Sequence, residues 1–237
     1  MKIISKIKIH PFFYFFTLVC LFNGLFKDYI YITFIVLFHE LGHILVGLYY
    51  KWDINKIVVL PFGCLTIFNN LVNVKLKEEF LVTIAGPILQ LFLFFINNSK
   101  FLYYNKILLI FNLIPIIPLD GSKIIHILLN KIISFKKSEL ISIIISFIMI
   151  FYLFMASNSL MSYLIILLLL KKVIETILMH KYIFYKFLLE RYIYKLPFKK
   201  VKKVKKISKM KREYRHLFYL ENKYYTEKEI LTKMFDK

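Results

Sequence analysis

The chain has 237 residues, of which 59% are apolar and 20% charged, and its mean hydropathy is +0.65. This balance excludes an ordinary soluble domain and favours a membrane protein. Only two cysteines are present, Cys20 and Cys64, which excludes a disulfide framework and a cysteine-rich zinc or iron–sulfur site. A bound metal would therefore depend on histidine and carboxylate ligands.

Apolar runs of transmembrane length divide the chain, since a helix needs roughly 20 residues to cross a bilayer. They lie at about residues 11–26, 29–50, 80–96, 107–128, 139–156 and 159–178. The first run follows lysines and also resembles a secretory signal, although no small-residue cleavage site comes after it. We therefore expect an all-α polytopic membrane protein with six transmembrane helices. A membrane domain at 1–178 would carry an interfacial helix and basic cytosolic tail at 179–237.

The distribution of lysines predicts the orientation, because Lys and Arg accumulate in short cytoplasmic loops. Ten lysines precede run one or follow runs two and four, whereas three fall in the loops on the other side. Both termini of this multi-pass protein are therefore expected to face the cytoplasm.

The loop at 51–79 contains two β-prone stretches around Pro61-Phe62-Gly63. This pattern predicts a short β-hairpin associated with the membrane face. An interfacial apolar loop without a function is the other interpretation.

The end of the chain is strongly basic. Residues 171–237 hold 20 basic and 7 acidic side chains, and the stretch from Lys199 to Arg212 has nine basic residues and no acidic one. Such a stretch is compatible with nucleic-acid binding, but beside a membrane domain the expected partners are anionic lipid headgroups. No specific nucleic acid is expected.

The second apolar run contains His39-Glu40-Leu41-Gly42-His43, an HExxH motif. On a helix the two histidines lie about 40° apart on one face, so both can bind one zinc ion, with Glu40 beside the open position. Zinc in hydrolases usually takes a third protein ligand and a water, and Glu40 would then act as general base and acid. An ion relay in a transporter and a buried polar packing cluster are the alternatives.

The third ligand is sought in the fourth run, where Asp120 is the only carboxylate. At 1.5 Å per residue, Asp120 and the two histidines lie at similar depths, about 15–21 Å from the outer ends of their runs. Pro115 and Pro118 interrupt the helix just before Asp120, which indicates an open, water-accessible site. Asn112 would hydrogen-bond a substrate backbone or a neighbouring helix.

These residues resemble the site-2 protease family of intramembrane zinc metalloproteases, which pairs HExxH with a distant Leu-Asp-Gly. Further motifs resemble the sporulation branch of that family: Trp52-Asp53-Ile54, Leu60-Pro61-Phe62-Gly63, Lys77-Glu78-Glu79-Phe80, Ala85-Gly86-Pro87 and Phe187-Leu188-Leu189-Glu190-Arg191-Tyr192.

The resemblance implies that His39, His43 and Asp120 bind Zn²⁺ and that Glu40 is the catalytic acid and base. It also implies a membrane-associated substrate, the precursor of sporulation sigma factor K, and inhibitory membrane partner proteins. The location would then be the mother-cell side of the outer forespore membrane. Substrate-binding positions implied in the same way are Asn112, Pro115, Pro118, Phe62 and Gly63.

Two other interpretations stay open. One is a protease of the same type that acts on another membrane substrate, and the other is a catalytically inactive scaffold or transporter. The tail departs from the family, because residues 197–237 are too few for a full cystathionine-β-synthase-type (CBS) domain. Residues 208–236 resemble at most the closing portion of such a domain, and nucleotide regulation is therefore not implied.

Overall fold

The computed structural model describes residues 6–60, 63–69, 72–194, 196–198, 200–220 and 223–236. The fold is mostly helical, as predicted. Its elements, in chain order, are β1 (Ile7–Ile9), α1 (Pro11–Phe22), α2 (Phe26–Tyr49), β2 (Ile54–Leu60), β3 (Gly63–Phe68), α3 (Leu76–Leu91), α4 (Ser99–Leu113), α5 (Asp120–Ile132), α6 (Phe135–Ala156), α7 (Leu160–Ile193), β4 (Lys200–Val204), β5 (Tyr214–Leu220), β6 (Lys223–Thr226) and α8 (Glu227–Phe235).

Three helical segments are long and apolar enough to cross a membrane within the part of the chain that the structure describes. They are Phe26–Tyr49, Leu76–Phe95 and Phe135–Ala156, and a shorter apolar helix lies at Phe13–Phe22. The segment at Leu76–Phe95 combines α3 with the short 3₁₀ helix that follows it.

The predicted helical run at 107–128 is two helices. α4 ends at Leu113 and α5 begins at Asp120, and the connection contains both Pro115 and Pro118. Proline lacks the N–H that an α-helix needs and clashes with the preceding turn, so two prolines three residues apart end the helix here. The last apolar run also differs from its prediction, because α7 continues without a break through residue 178 to Ile193.

Two compact units make up the chain. The first comprises residues 1–70 and 80–113, and the second comprises residues 71–79 and 114–237. In the first unit, β2 pairs antiparallel with β3, and β1 pairs parallel with β2 through Ile7 opposite Ile57. The strand β1 was not expected from the lysine-rich N-terminal sequence, and Lys6 forms an ion pair of 2.8 Å with Asp53 beside it.

The second unit has its own hydrophobic core. α6, α7, the β4–β5–β6 sheet, the connection between β4 and β5, and α8 supply its buried side chains, which are Phe135, Phe187, Leu188, Val204, Met210, Phe218 and Leu231. The rings of Phe135 and Phe187 stack with their centroids 4.4 Å apart. The basic tail is therefore a folded layer with a core, because β4, β5 and α8 each bury an apolar side chain in it, namely Val204, Phe218 and Leu231.

Polar side chains from late in the sequence hold the segment 72–79 within this unit. The Glu190 carboxylate accepts hydrogen bonds from the backbone N–H groups of Val72 (2.8 Å) and Asn73 (3.0 Å). Glu213 accepts from the N–H of Leu76 at 2.8 Å, and Arg212 forms an ion pair of 2.6 Å with Glu79. These bonds satisfy N–H groups just before and at the start of α3, which have no partner within that helix.

Candidate metal centre

α2 carries both histidines of the HExxH motif on one buried face. His39 is 5% exposed and His43 is 7% exposed, and their Nε2 atoms lie 3.1 Å apart. A spacing of four residues brings two side chains onto the same helix face, one turn apart. The predicted juxtaposition of the two histidines is therefore present.

Hydrogen bonds at the opposite ring nitrogens determine how these histidines are protonated. His43 Nδ1 lies 2.8 Å from the carbonyl oxygen of Val82, which only accepts, so Nδ1 carries the proton and donates. The Nε2 atom of His43 therefore presents its lone pair. A metal ligand needs this tautomer.

His39 is oriented by a chain of two amides. Its Nδ1 lies 2.8 Å from Gln90 Oε1, and Gln90 Nε2 donates to the backbone and side-chain oxygens of Asn105 at 3.1 and 3.0 Å. Because both of these oxygens accept, Gln90 must direct its N–H groups at Asn105 and its oxygen at His39. Nδ1 of His39 is then the donor, and Nε2 again presents a lone pair.

The close approach of α2 and α3 explains the small residues on both helices. A Cβ added at Gly42 would lie 2.4 Å from the carbonyl oxygen of Ala85. A Cβ added at Gly86 would lie 2.3 Å from His43 Nε2 and 2.8 Å from His39 Nε2. Glycine at residue 86 therefore leaves open the space into which both imidazole nitrogens point.

Asp120, the third predicted ligand, belongs to the second unit. It is the first residue of α5, it is 6% exposed, and its Oδ1 accepts a hydrogen bond of 2.9 Å from Lys123. Two imidazole nitrogens and one carboxylate oxygen are a donor set that zinc takes in hydrolases. The role of Asp120 as a ligand stays a prediction.

The spacing of the histidines fits a zinc ion. Tetrahedral zinc with bonds of about 2.0–2.1 Å places two nitrogen ligands about 3.3 Å apart. The Nε2 atoms are 3.1 Å apart, and two lone pairs facing each other at that distance repel unless a cation lies between them. The residues present therefore fit the metal that the motif predicts.

Glu40 lies next to this set on α2 and is half-buried. Its Oε1 accepts a hydrogen bond of 2.7 Å from the backbone N–H of Thr66 on β3. The sheet order β1–β2–β3 leaves β3 at an edge, so this N–H points away from β2. Glu40 is therefore held by the edge of the sheet.

The predicted substrate-binding residues are distributed over several elements. Asn112 is half-buried in the last turn of α4, and Pro115 and Pro118 lie in the connection before α5. Gly63 is the first residue of β3, whereas Phe62 lies outside the described residues. Their roles remain predictions.

Three residues at the site were not singled out from the sequence. They are Gln90, Asn105 and Thr66. Gln90 carried a detectable signal, because it is a lone amide in the apolar run 80–96, where an unpaired polar group is costly. The Thr66 contact had no such signal, since it uses a backbone N–H.

Comparison with known proteins supports the resemblance to site-2 proteases. The sequence model of peptidase family M50 matches residues 99–156. Stage IV sporulation protein FB from Bacillus subtilis is 35% identical over an alignment of 152 residues, and the match covers 59% of this chain and 53% of that protein. A zinc metalloprotease from Methanocaldococcus jannaschii is 32% identical over an alignment of 123 residues, and the match covers 45% of this chain and 35% of that protein.

Among solved structures, a site-2 protease from Methanocaldococcus jannaschii is similar with a TM-score of 0.47 and 24% identity. That similarity covers 81% of this chain and 94% of the other. The matches to the curated relatives span about half of one protein and about a third of the other. The predicted resemblance is confirmed, because the chain is similar to peptidase family M50 over residues 99–156 and to two curated proteins over parts of their length.

Proposed function

We propose that the chain is an intramembrane zinc metalloendopeptidase. One observation carries the proposal: the buried Nε2 atoms of His39 and His43 lie 3.1 Å apart on one face of α2, and Glu40 follows His39 on the same helix. The similarity to a zinc metalloprotease and to a sporulation protein supports it. His39, His43 and Asp120 would hold the zinc ion, which supplies a Lewis acid and lowers the pKa of water when bound.

Glu40 is the proposed proton carrier of the reaction. Its carboxylate takes a proton from the attacking water as the water oxygen forms a bond to the carbonyl carbon of the peptide. The same carboxyl group then gives that proton to the amide nitrogen as the C–N bond breaks. The products are a carboxylic acid and an amine, and Glu40 returns to its ionised form.

The edge strand β3 is the proposed docking site for the substrate backbone. An extended peptide can add to a free sheet edge through main-chain hydrogen bonds. Thr66 offers its N–H at that edge, and this N–H is now bonded to Glu40. Asn112, Pro115, Pro118, Phe62 and Gly63 are proposed to contact the same peptide.

The finer topology is also proposed. Six membrane crossings, with both termini on the cytoplasmic side, follow from the apolar runs and the lysine distribution. Three helical segments meet the length and composition that a crossing needs. We propose the division at residue 178 as a functional boundary between membrane and tail, although α7 runs through it.

The proposed substrate is the membrane-associated precursor of sporulation sigma factor K, cut near the cytoplasmic membrane face on the mother-cell side of the outer forespore membrane. The similarity to stage IV sporulation protein FB supports this choice. Inhibitory membrane proteins are the proposed regulators. Anionic lipid headgroups are the proposed partners of the basic tail, where the +13 charge of residues 171–237 favours them.

The test is co-expression with a tagged sigma factor K precursor, followed by measurement of the size of the tagged product. The wild type is expected to release the shortened product, and Glu40→Gln to reduce cleavage by about 100-fold or more, because a general base contributes 10²–10⁴-fold. Glu78→Gln is the matched control, since Glu78 lies in the first turn of α3 and pairs with Lys75.

The zinc content of each purified protein separates the outcomes. Glu40→Gln should retain one equivalent of zinc, whereas Asp120→Ala should lose most of it. Cleavage by Glu40→Gln at the wild-type rate would overturn the proposed role of Glu40. A wild-type protein without zinc would overturn the proposed metalloprotease function and would favour an inactive scaffold or a transporter. A zinc-loaded wild type that cleaves only other membrane proteins would overturn the substrate alone.

A further inference from the structure

A cavity of about 520 Å³ in the second unit has lysines as six of its eleven lining residues. Six lysines contribute to its wall: Lys137, Lys202, Lys203, Lys205, Lys209 and Lys211. The hydroxyl-bearing residues Ser134, Tyr219 and Tyr224 also line it, and no acidic residue is among the lining residues that the structure describes. Six like charges around one space favour an anion inside it.

These lysines differ from others in the chain. Lys75, Lys100, Lys123 and Lys172 each form an ion pair with a carboxylate. Within the described residues, none of the six cavity lysines does so. Lys211 donates to the carbonyl oxygen of Ile132, and its ammonium lies close enough to Lys202 that burial and this neighbour together lower the pKa of Lys211.

Ser134 provides an independent indication of a ligand. It is 7% exposed and lines the cavity, and its Oγ has no hydrogen-bond partner among the described residues. Ser134 is the N-cap of α6, yet its side chain does not cap the helix. The equivalent residues Ser159 and Thr226 do accept hydrogen bonds from the first turns of α7 and α8. A buried hydroxyl without a partner is costly unless a ligand satisfies it.

The position of the cavity on α6 indicates where the anion comes from. α6 has 22 residues and is one of the candidate membrane spans, and at 1.5 Å per residue it is about as long as the hydrocarbon layer is thick. Ser134 precedes its first residue, Phe135, and Lys137 is its third residue. If α6 crosses the bilayer, both side chains lie at the depth of the lipid phosphates, and the positive end of the helix dipole points toward the same region.

We propose that this cavity binds the phosphate group of an anionic phospholipid headgroup, with Ser134 donating its hydroxyl and the lysines neutralising the charge. The proposal rests on the membrane span α6 and does not require hydrolysis, so a chain that cleaves nothing could still bind the lipid. The bound lipid would hold the β4–β5–β6 layer against the membrane surface. Soluble phosphate compounds share the recognised group and are the competing source.

The experiment measures binding of fluorescent phosphatidylglycerol to the purified full-length protein in mixed micelles, with phosphatidylcholine as the uncharged reference. Lys203→Gln combined with Lys209→Gln removes two charges from the cavity. Lys200→Gln combined with Lys206→Gln is the matched control, because it removes two exposed charges from the same basic stretch outside the cavity. Ser134→Ala tests the buried hydroxyl without a change of charge.

The cavity double variant is expected to weaken phosphatidylglycerol binding at least 10-fold, since each lysine near a membrane surface contributes about fivefold. The control double variant should weaken phosphatidylglycerol binding by less than half of the factor seen for the cavity variant. Ser134→Ala should weaken it about threefold or more. If the double lysine variant does not fold, Ser134→Ala decides the question, because its hydroxyl makes no contact that the fold needs.

Equal losses in the cavity and control variants would overturn the proposal, since they would indicate diffuse attraction to charge. Equal affinity for the two lipids would overturn it as well. Displacement of phosphatidylglycerol by millimolar inorganic phosphate or by ATP, with saturation at one equivalent, would assign the cavity to a soluble phosphate instead.

Discussion

Glu40 Oε1 accepts a 2.7 Å hydrogen bond from the backbone N–H of Thr66, so the proposed general base is tied to the edge of a β-sheet. A peptide that adds to β3 needs the same N–H. Docking of a substrate strand would therefore release Glu40 from its present partner as it brings the scissile bond to the site.

Amide hydrogen exchange tests this contact directly. Glu40→Ala removes the acceptor, and because a hydrogen bond to a charged group contributes about 1.5–3 kcal/mol, the Thr66 amide should exchange about 10–100-fold faster. Glu40→Gln keeps an accepting oxygen and should retain most of the protection. The amide of Ile57 on β2 is the internal control. Equal exchange of the Thr66 amide in all three proteins would contradict the contact.

Gly86→Ala should abolish metal binding. Its Cβ would lie 2.3 Å from His43 Nε2, so either the ring turns away or α2 and α3 separate. We expect the purified variant to hold less than about a tenth of the wild-type zinc, measured by atomic absorption. Gly24→Asn is the control, because a Cβ there meets nothing within 4 Å and Asn tolerates the positive φ of that residue. A wild-type zinc content in Gly86→Ala would contradict this prediction, because it would show that α2 and α3 can accommodate the added Cβ.

Gln90→Leu should weaken zinc binding without removing a ligand. The change deletes the acceptor that holds His39 Nδ1–H, and loss of such a partner usually costs about 10–100-fold in metal affinity. Competition with a chromogenic chelator measures the affinity. Asn112→Leu makes the same kind of replacement on α4, outside the hydrogen bonds described at the metal site, and should leave the affinity unchanged. Identical affinities for both variants would argue against the amide chain.

Acid should destabilise the folded tail through His216. This ring is buried, its Nδ1 lies 3.1 Å from Glu227 Oε2, and its Nε2 accepts from the N–H of Lys211 at 3.0 Å, so the neutral form fits both partners. Burial is the main reason that the pKa of His216 lies below its usual 6.5. The pKa of Glu227 is also lowered, because hydrogen bonds and charge from His216 and Arg191 outweigh the effect of burial.

The sign of the pH effect follows from these two shifts. The folded state binds fewer protons than the unfolded state below pH 6.5, so the free energy of unfolding falls as the pH falls through that value. Glu227 adds to the loss at lower pH. Protease resistance of residues 196–236 should therefore be constant between pH 7 and 8 and decline below pH 6.5. His216→Asn should reduce the loss of protease resistance just below pH 6.5. An unchanged pH profile in this variant would contradict the role given to His216.

The core of the site could be predicted because its residues carry strong local signals. HExxH specifies two ligands on one helix face, and Asp120 is the only carboxylate in its apolar run. The break before Asp120 was also predictable, because Pro115 and Pro118 cannot continue a helix. The Nε2 atoms of the two histidines lie 3.1 Å apart, which is close to the spacing of two nitrogen ligands on one zinc ion.

Other features depend on partners that are distant in sequence. β1 has only three residues and forms because Ile57, Val58 and Val59 offer a strand edge about 50 positions later. The length of α7 was underestimated because Lys181 and Lys186 follow the apolar run, although both are exposed on a helix that continues. A hydrophobicity pattern indicates which residues are buried, but it does not indicate which distant segments pair with one another.

The bonds that hold residues 72–79 have a consequence for biosynthesis. The N–H of Leu76 is bonded to Glu213, which is 137 residues later in the chain. At a synthesis rate of about 5–20 residues per second, the start of α3 waits about 7–27 seconds for that partner to emerge from the ribosome. Water must satisfy these N–H groups in the interval, so the start of α3 has to remain at the aqueous interface while the apolar helices insert.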